Sequence, residues 1–334
     1  VVIVAQDTTE LDLTRRRQKK IGSPRDENAR RGMFAHPQLA MTTGRVPSGL
    51  INAKIWSRDE AAFVKSAKQK CQERKASPIE QKESIRWPEG YRQACALAEQ
   101  SPGTQVVSLA DSESEIYECL LEATTRQGVR ADWIIRACRD RALFEENVEM
   151  RQALPDTASP GSFTIEVSAR HGATESTRER KQARSDRQAV VTVRSGSVTL
   201  RPPQRPGAKL PPVKANAVLV LEEHPPEGGE PIKWLLLTSL PVTTFAEAQT
   251  VIGYYCCRWE IELLFKRWKS LNLVAELCGS TELRQMVRVR AIDYVARTTL
   301  ADDRERVGRP FEEPEQGERS DPRLCGALGR QPEE

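Results

Sequence analysis

Between Tyr255 and Lys269 the chain reads YCCRWEIELLFKRWK, and this segment constrains the fold more than any other. Set on a helix at about 100° per residue, Ile261, Leu264, Phe265 and Trp268 recur at the i, i+3, i+4, i+7 spacing of a buried face. On the same wheel Tyr255, Arg258, Glu262 and Lys269 fall at about 0°, 300°, 340° and 320°, a stripe about 60° wide. One continuous helix is therefore expected, packed on a core and carrying a phenol, two cations and a carboxylate along its edge. Metal-assisted chemistry at a phosphodiester needs such a set: the carboxylate holds a divalent ion and the cations hold phosphate oxygens. A solvated helix face with i,i+4 ion pairs fits the stripe equally well, so the rest of the chain has to decide.

The chain has 334 residues, 38% hydrophobic and 29% charged, which suits one large domain or two ordinary ones. No run approaches the ~18 apolar residues of a membrane span, so no membrane partner is expected. The opening VVIVAQDTTELD lacks the charged start and cleavage site of a signal peptide and reads as a strand. A chain that begins with Val in mid-strand suggests that further sequence lies upstream. The net charge of +4 is unevenly placed: residues 15–31 hold eight Lys/Arg against two acids, and residues 170–209 hold ten against three. Basic clusters suit a polyanion such as nucleic acid, although charge runs are more often plain solvated surface. The eight cysteines form no C-x-x-C and the three histidines complete no zinc pattern, which points to reduced thiols in a cytoplasmic protein.

Along the chain, residues 1–5 form a β-branched run that ends at Asp7. Apolar clusters from 34 to 55, broken by Gly44, Pro47 and Gly49, suggest paired antiparallel strands. Residues 58–82 read as helix and loop, and 87–99 as a helix with Pro88 near its start. Residues 105–110 form a buried strand ending at Asp111, 114–125 a helix, and 133–137 another strand. This strand–Asp–helix–strand order is α/β grammar, with polar groups at the carboxyl end of a strand. Short strands follow at 162–167, 189–193, 197–200, 217–221 and 234–238, with turns expected at RSGS, RPPQRPG and PPEGG. Helical grammar returns near Phe245, and 283–300 reads as another amphipathic helix. After Ala301 the chain is acidic and without apolar periodicity, so a disordered tail is expected. The histidines lie in unremarkable contexts, and no phosphate loop or nucleophile elbow is present.

Three carboxylates stand out by position: Asp7 and Asp111 at strand ends, and Glu262 on the helix. Asp after a strand is also a common turn residue. If the two strands are neighbours and the helix crosses them, three hard oxygen donors converge. Two Mg²⁺ ions about 3.5–4 Å apart could then be held there.

With these residues in view, the chain resembles the IS4-type DDE transposases, in their Tn5 (IS50) branch. QDTT at 6–9 resembles the first-aspartate motif and VVSLADSESEIYE at 106–118 the second. Tyr255, Arg258, Glu262 and Lys269 reproduce the signature Y-x2-R-x3-E-x6-K. KWLLLTSLPV at 233–242 is similar to the strand before that signature, and RQAVVTVRSGSVTL with NAVLVLEEHPPEG to the family's β insertion. Weaker echoes are GMFAHPQLA at 32–40, RWPEGYR at 86–92 and LRQMVRVRAIDYVA at 283–296.

The resemblance implies an α/β fold with a ribonuclease-H-like core, a mixed five-stranded sheet flanked by helices, with a mostly β insertion before the catalytic helix. The expected division is core over 1–155, insertion over 156–245, catalytic helix and end of core over 246–300, and tail over 301–334. Asp7, Asp111 and Glu262 are then the catalytic metal ligands for two Mg²⁺ ions, with Mn²⁺ able to substitute. Tyr255, Arg258 and Lys269 would grip phosphates. Trp234 would stack on a flipped base, a contact worth about 1–3 kcal/mol, although the residue alone reads as strand core. The implied activity is metal-dependent DNA cleavage and strand transfer, cut-and-paste transposition through a hairpin. The implied partners are double-stranded DNA, both transposon ends and target, and a second subunit in a synaptic homodimer. The implied setting is the bacterial cytoplasm, on DNA.

The chain departs from the family pattern in several places. Set against the family pattern, the expectation is a chain without the helical end-binding domain before the first aspartate and with a reduced C-terminal dimerisation region. Gln6 replaces the usual Glu, and Ser112 replaces the usual Arg beside the second aspartate, which takes a cation away from the site. The alternative expectation is a truncated, non-catalytic remnant that binds DNA or inhibits full-length subunits. A generic ribonuclease-H-like nuclease fits the four-residue signature less well.

Overall fold

Runs of β-branched and small apolar residues set the strands of this chain, and 3.6-residue apolar spacing sets its helices. The computed structural model describes residues 1–12, 32–57, 77–145, 148–154, 161–167, 187–204, 209–227, 229 and 231–270. In chain order these give β1 (Val2–Gln6), β2 (Thr9–Asp12), β3 (Gly32–Thr42), β4 (Pro47–Trp56), α1 (Arg86–Gln100), β5 (Val106–Ala110), α2 (Tyr117–Thr125) and β6 (Asp132–Arg136). There follow α3 (Met150–Ala153), β7 (Gly161–Val167), β8 (Arg187–Leu200), β9 (Val213–Glu222), β10 (Lys233–Thr238), α4 (Phe245–Cys256) and α5 (Trp259–Ser270). The basic residues 15–31 and 170–186, the stretch 58–76, the helix expected over 283–300 and the acidic tail over 301–334 lie outside the described residues. Among the described residues no helix is long and apolar enough to cross a membrane.

The fold is mixed α/β, and the chain divides into two units. The first draws its described residues chiefly from 1–133 and 257–270. Its centre is β1 beside β5. Ile3, Val4 and Ala5 are fully buried, as are Val107 and Leu109. Neither strand alternates, because parallel strands are covered on both faces. The two pair in parallel, Val2 opposite Val106 through Ala5 opposite Leu109. On its other side β1 pairs antiparallel with β3. The register from Gln6↔Gln38 to Thr9↔Ala35 carries straight on into β2, so β1 and β2 lie in one line along β3. That line is interrupted only at Asp7 and Thr8. The register places Pro37, which has no N–H to give, opposite Asp7.

The hairpin expected from 34 to 55 forms as β3 and β4. Arg45 turns it at φ 65, the one non-glycine residue with positive φ among the described residues. Helices α1 and α5 pack on this sheet. In α1 the buried stripe is Trp87, Tyr91, Ala94, Cys95 and Ala98, with Pro88 in the first turn, where its missing N–H does no harm. Tyr91 Oη donates to Ala131 O at 2.9 Å and anchors the helix. Helix α2 begins at Tyr117, three residues later than its pattern suggested. The intervening residues make a 3₁₀ turn, Ser112–Ser114, capped by the Asp111 side chain.

The second unit is an antiparallel ladder in the order β6-β10-β9-β8-β7. The RSGS turn expected at 194–197 is not a turn. It lies inside the 14-residue strand β8, with Ser195 opposite Val218 and Gly196 opposite Ala217. An unbroken partner strand supplies the ladder, and Ser195, 3% exposed, donates its hydroxyl to Val242 O at 2.7 Å. Tertiary pairing thus overrides the local turn signal. Arg187 forms a buried ion pair with Glu222, which also accepts from Ile232 N at 3.0 Å.

Candidate active site

The parallel register of β1 and β5 determines where two of the expected acids stand. Val2 pairs with Val106 and Ala5 with Leu109, so the residues one step past each strand, Asp7 and Asp111, fall level with each other. Neighbouring strands lie about 4.8 Å apart, and both carboxylates leave from the carboxyl ends, where open α/β sheets bind ligands. Each is oriented by a backbone N–H: Thr8 N donates to Asp7 Oδ1 at 2.7 Å, and Glu113 N donates to Asp111 Oδ1 at 2.9 Å.

The helical segment is not one helix. α4 ends at Cys256, α5 begins at Trp259, and Cys257 and Arg258 form a turn between them. The first bonds of α5 span three residues, Glu260 N to Cys257 O and Ile261 N to Arg258 O. Both turn residues have long-range partners, the Cys257 thiol facing Thr43 O at 3.6 Å and Arg258 reaching Asp7. The continuous stripe is therefore corrected. Glu262 lies in α5, whereas Tyr255 lies in α4 and belongs to the second unit. The apolar stripe does hold, and Ile261, Leu264, Phe265 and Trp268 are all buried.

Arg258 is 7% exposed. Its Nη1 lies 2.9 Å from Asp7 Oδ2 and 3.9 Å from Glu262 Oε1, so one guanidinium bridges an acid at a strand end and an acid on a helix. Burial, then the charge of Asp111, pushes the Asp7 carboxyl up to about 8. Arg258 opposes that shift and Glu262 adds to it. The Asp111 carboxyl is raised as well, again chiefly by burial. Asp7 thus feels two other acids, Asp111 and Glu262, against one guanidinium.

Behind the acids lies a polar network that the sequence did not reveal. His36, fully buried, places Nδ1 2.9 Å from Thr8 Oγ1 and Nε2 3.2 Å from Gln6 Oε1. Gln6 Nε2 donates to Ser108 Oγ at 3.4 Å. Burial first, then the nearby Arg86 and Lys54, lowers His36 well below its ordinary value, so its ring stays neutral. It meets the Trp87 ring edge-on at 4.7 Å. Arg86 joins the network from the start of α1: Nε donates to Thr8 Oγ1 at 2.8 Å and Nη2 to Glu113 Oε2 at 2.7 Å. A cation thus stands near Asp111, contributed by the start of α1. Arg86 lowers the Asp111 carboxyl against the effect of burial. The QDTT, GMFAHPQLA and RWPEGYR stretches contain these residues, but nothing in them pairs one with another. Their partners are 28 and 78 positions away.

Hard carboxylate oxygens suit Mg²⁺ or Mn²⁺, and a divalent cation relieves the crowding of charge around Asp7. The donor chemistry therefore fits. Asp7 and Asp111 offer themselves directly, and Glu262 is linked to them through Arg258. Among the described residues no three His, Cys, Asp or Glu side chains are already gathered as ligands around one point.

The remaining expected residues are placed as follows. Lys269 falls in the last turn of α5, and its side chain lies outside the described residues. Tyr255 and Trp234 belong to the second unit, at 2% and 4% exposure. Trp234 pairs with Val220 in the β10–β9 ladder and packs as a strand core residue.

Among solved structures the chain is similar to a piggyBac transposase in the cryo-EM structure of its synaptic complex with hairpin DNA. The identity is 9% and the TM-score 0.37, with 90% of this chain covered and 48% of that one. The chain thus spans about half the length of that relative. Residues 96–292, which include Asp111 and Glu262, match the family described as Transposase DDE domain. That match takes in more than half of the 334 residues, and the chain belongs to the DDE transposase domain family.

Proposed function

We propose that this chain is the catalytic core of a DNA transposase that cleaves and rejoins phosphodiester bonds at the ends of a mobile element. In this reading the first unit is a ribonuclease-H-like core of the IS4 type and β7–β10 form its insertion. Asp7, Asp111 and Glu262 hold two Mg²⁺ ions, or Mn²⁺ in their place. The observation that carries the reading is the register of β1 and β5, which sets Asp7 level with Asp111 while Arg258 ties Asp7 to Glu262.

When bound, the divalent ions supply an activated water or 3′-hydroxyl and stabilise the leaving oxygen. The protein's own part is to hold and orient. Thr8 N fixes one oxygen of Asp7 and Arg258 holds the other, the one a metal would share or take over. Glu113 N fixes one oxygen of Asp111. Arg258 neutralises Asp7 and Glu262, and with a scissile strand present it faces phosphate oxygens, for which a guanidinium fork is suited. Lys269 adds a second cation. Hydrolysis, hairpin formation, hairpin opening and strand transfer are all in-line displacements at phosphorus, so one site serves each. DNA ends and target are the substrates, and a second subunit completes the synaptic assembly.

The test is nicking of supercoiled plasmid with Mg²⁺ or Mn²⁺, comparing the chain with Asp111→Asn and Glu262→Gln. Nicking by the native chain alone supports the enzyme. Equal inertness of all three folded proteins refutes it for this chain and favours the non-catalytic, inhibitory remnant.

A further inference from the structure

Arg86 makes three separate bonds from one side chain. Nε reaches Thr8 Oγ1, next to Asp7; Nη2 reaches Glu113 Oε2, two residues after Asp111; Nη1 reaches Glu83 O at 3.1 Å. The guanidinium carbon stands 5.2 Å from the Trp87 ring centroid and 5.8 Å from that of Trp56, within cation–π range of both. The side chain is 12% exposed. Thr8 is held from behind by His36, which is held in turn by Gln6 and, through it, by Ser108 of β5. The two strand-end segments that carry the aspartates are thus tied together twice, once through the sheet interior and once across the front by Arg86. Parallel strands fix backbone spacing, but the residues past their ends have left the ladder and need another constraint.

We propose that Arg86 is the positioning residue that sets the separation of Asp7 and Asp111, and so the affinity of the pair for divalent cations. The inference rests on the carboxylate reading above. Arg86 touches neither carboxylate oxygen; it acts through Thr8 and Glu113. A planar fork does this and an ammonium does not, because two fixed N–H directions are needed at once. Residues that hold metal ligands in place typically change affinity 10- to 100-fold when replaced.

The test is Mn²⁺ binding to the full chain, followed by calorimetry and electron paramagnetic resonance, for Arg86→Lys, Thr8→Val and the double variant. Each single change is expected to weaken Mn²⁺ binding about tenfold, and the double variant well short of the product of the two, because both remove the Arg86–Thr8 bond. Arg92→Lys is the control. It disturbs the Arg92–Glu122 pair on the same helix, at 2.6 Å, and should leave Mn²⁺ affinity unchanged. Native affinity in Arg86→Lys, multiplied losses in the double variant, or an equal loss in Arg92→Lys would overturn the proposal. Should Arg86→Lys fail to fold, Thr8→Val decides alone, since it removes the bond and leaves Arg86 on its tryptophans. Asp111→Asn separates the two levels. If it abolishes binding while Arg86→Lys does not weaken it, the Arg86 inference fails by itself. If Asp111→Asn binds Mn²⁺ as the native chain does, the carboxylate reading falls and takes the Arg86 inference with it.

Discussion

Gly90 lies on the buried face of α1, and a methyl group there has nowhere to go. A Cβ built on its backbone would stand 2.1 Å from Gln6 Oε1, 3.0 Å from Gln6 Cδ and 3.2 Å from Gln38 Nε2. Gln6 is 3% exposed and held at both ends, by His36 at 3.2 Å and by Ser108 at 3.4 Å, so it cannot swing into solvent. In an open helix Gly→Ala stabilises by about 1 kcal/mol. Here the added methyl displaces the Gln6 amide. Two buried hydrogen bonds are lost, each worth about 0.5–1.5 kcal/mol, and about 1–3 kcal/mol more is lost wherever a buried group stays unsatisfied. The net expectation for Gly90→Ala is a destabilisation of about 2 kcal/mol. It should be read from the urea midpoint at unchanged m-value. In a Gln6→Ala background the collision disappears and Gly90→Ala should become neutral or stabilising, a coupling of about 2–3 kcal/mol. A neutral or more stable Gly90→Ala in the native background would refute the argument, because Gln6 would then be free to move and could not brace His36.

Other expectations are equally specific. Glu222→Ala removes an acceptor from both Arg187 and Ile232 N, and should destabilise by about 3 kcal/mol in urea unfolding, with Glu222→Gln losing roughly half as much. The Asp7 carboxyl, raised from 3.8 to about 8, keeps in the folded chain a proton that the unfolded chain has already lost. Without divalent ions, stability therefore falls as pH rises from about 4 to about 8, and Asp7→Asn should abolish that contribution to the slope. Mn²⁺ needs the ionised carboxylate, so its affinity should climb with pH up to about 8 and its binding should release protons below that. Calorimetry in two buffers of different ionisation heat measures this, and an absence of proton release would contradict it.

The strand ends and the buried helix face were legible because local pattern and local structure agree there. The runs before Asp7 and Asp111 are short, apolar and free of glycine, and an acid ending such a run reads directly as a strand end. The face made by Ile261, Leu264, Phe265 and Trp268 was equally plain from its spacing. The helix break at Cys257 and Arg258 was not, since neither glycine nor proline marks it. It is made by long-range partners, Thr43 and Asp7, that no local window contains. RSGS failed in the opposite sense: its residues favour a turn, but β9 lies alongside and keeps them extended. His36 and Arg86 stayed hidden because their meaning depends on which strand lies beside β1. That is a matter of topology rather than of spacing along the chain.

The interruption between β1 and β2 has a wider bearing on how this molecule can change. A perfect sheet commits every backbone group to its neighbours and has none left for chemistry. Here the line of β1 and β2 is broken opposite Pro37, and Thr8 N turns from the ladder to the Asp7 side chain. Apolar residues on either side can drift among Val, Ile and Ala while the flaw persists. A residue at 37 with an amide hydrogen could let the strand heal across the gap. Mutational tolerance along this edge should therefore follow the defect rather than the core, with an unassuming proline among the least replaceable positions of the chain.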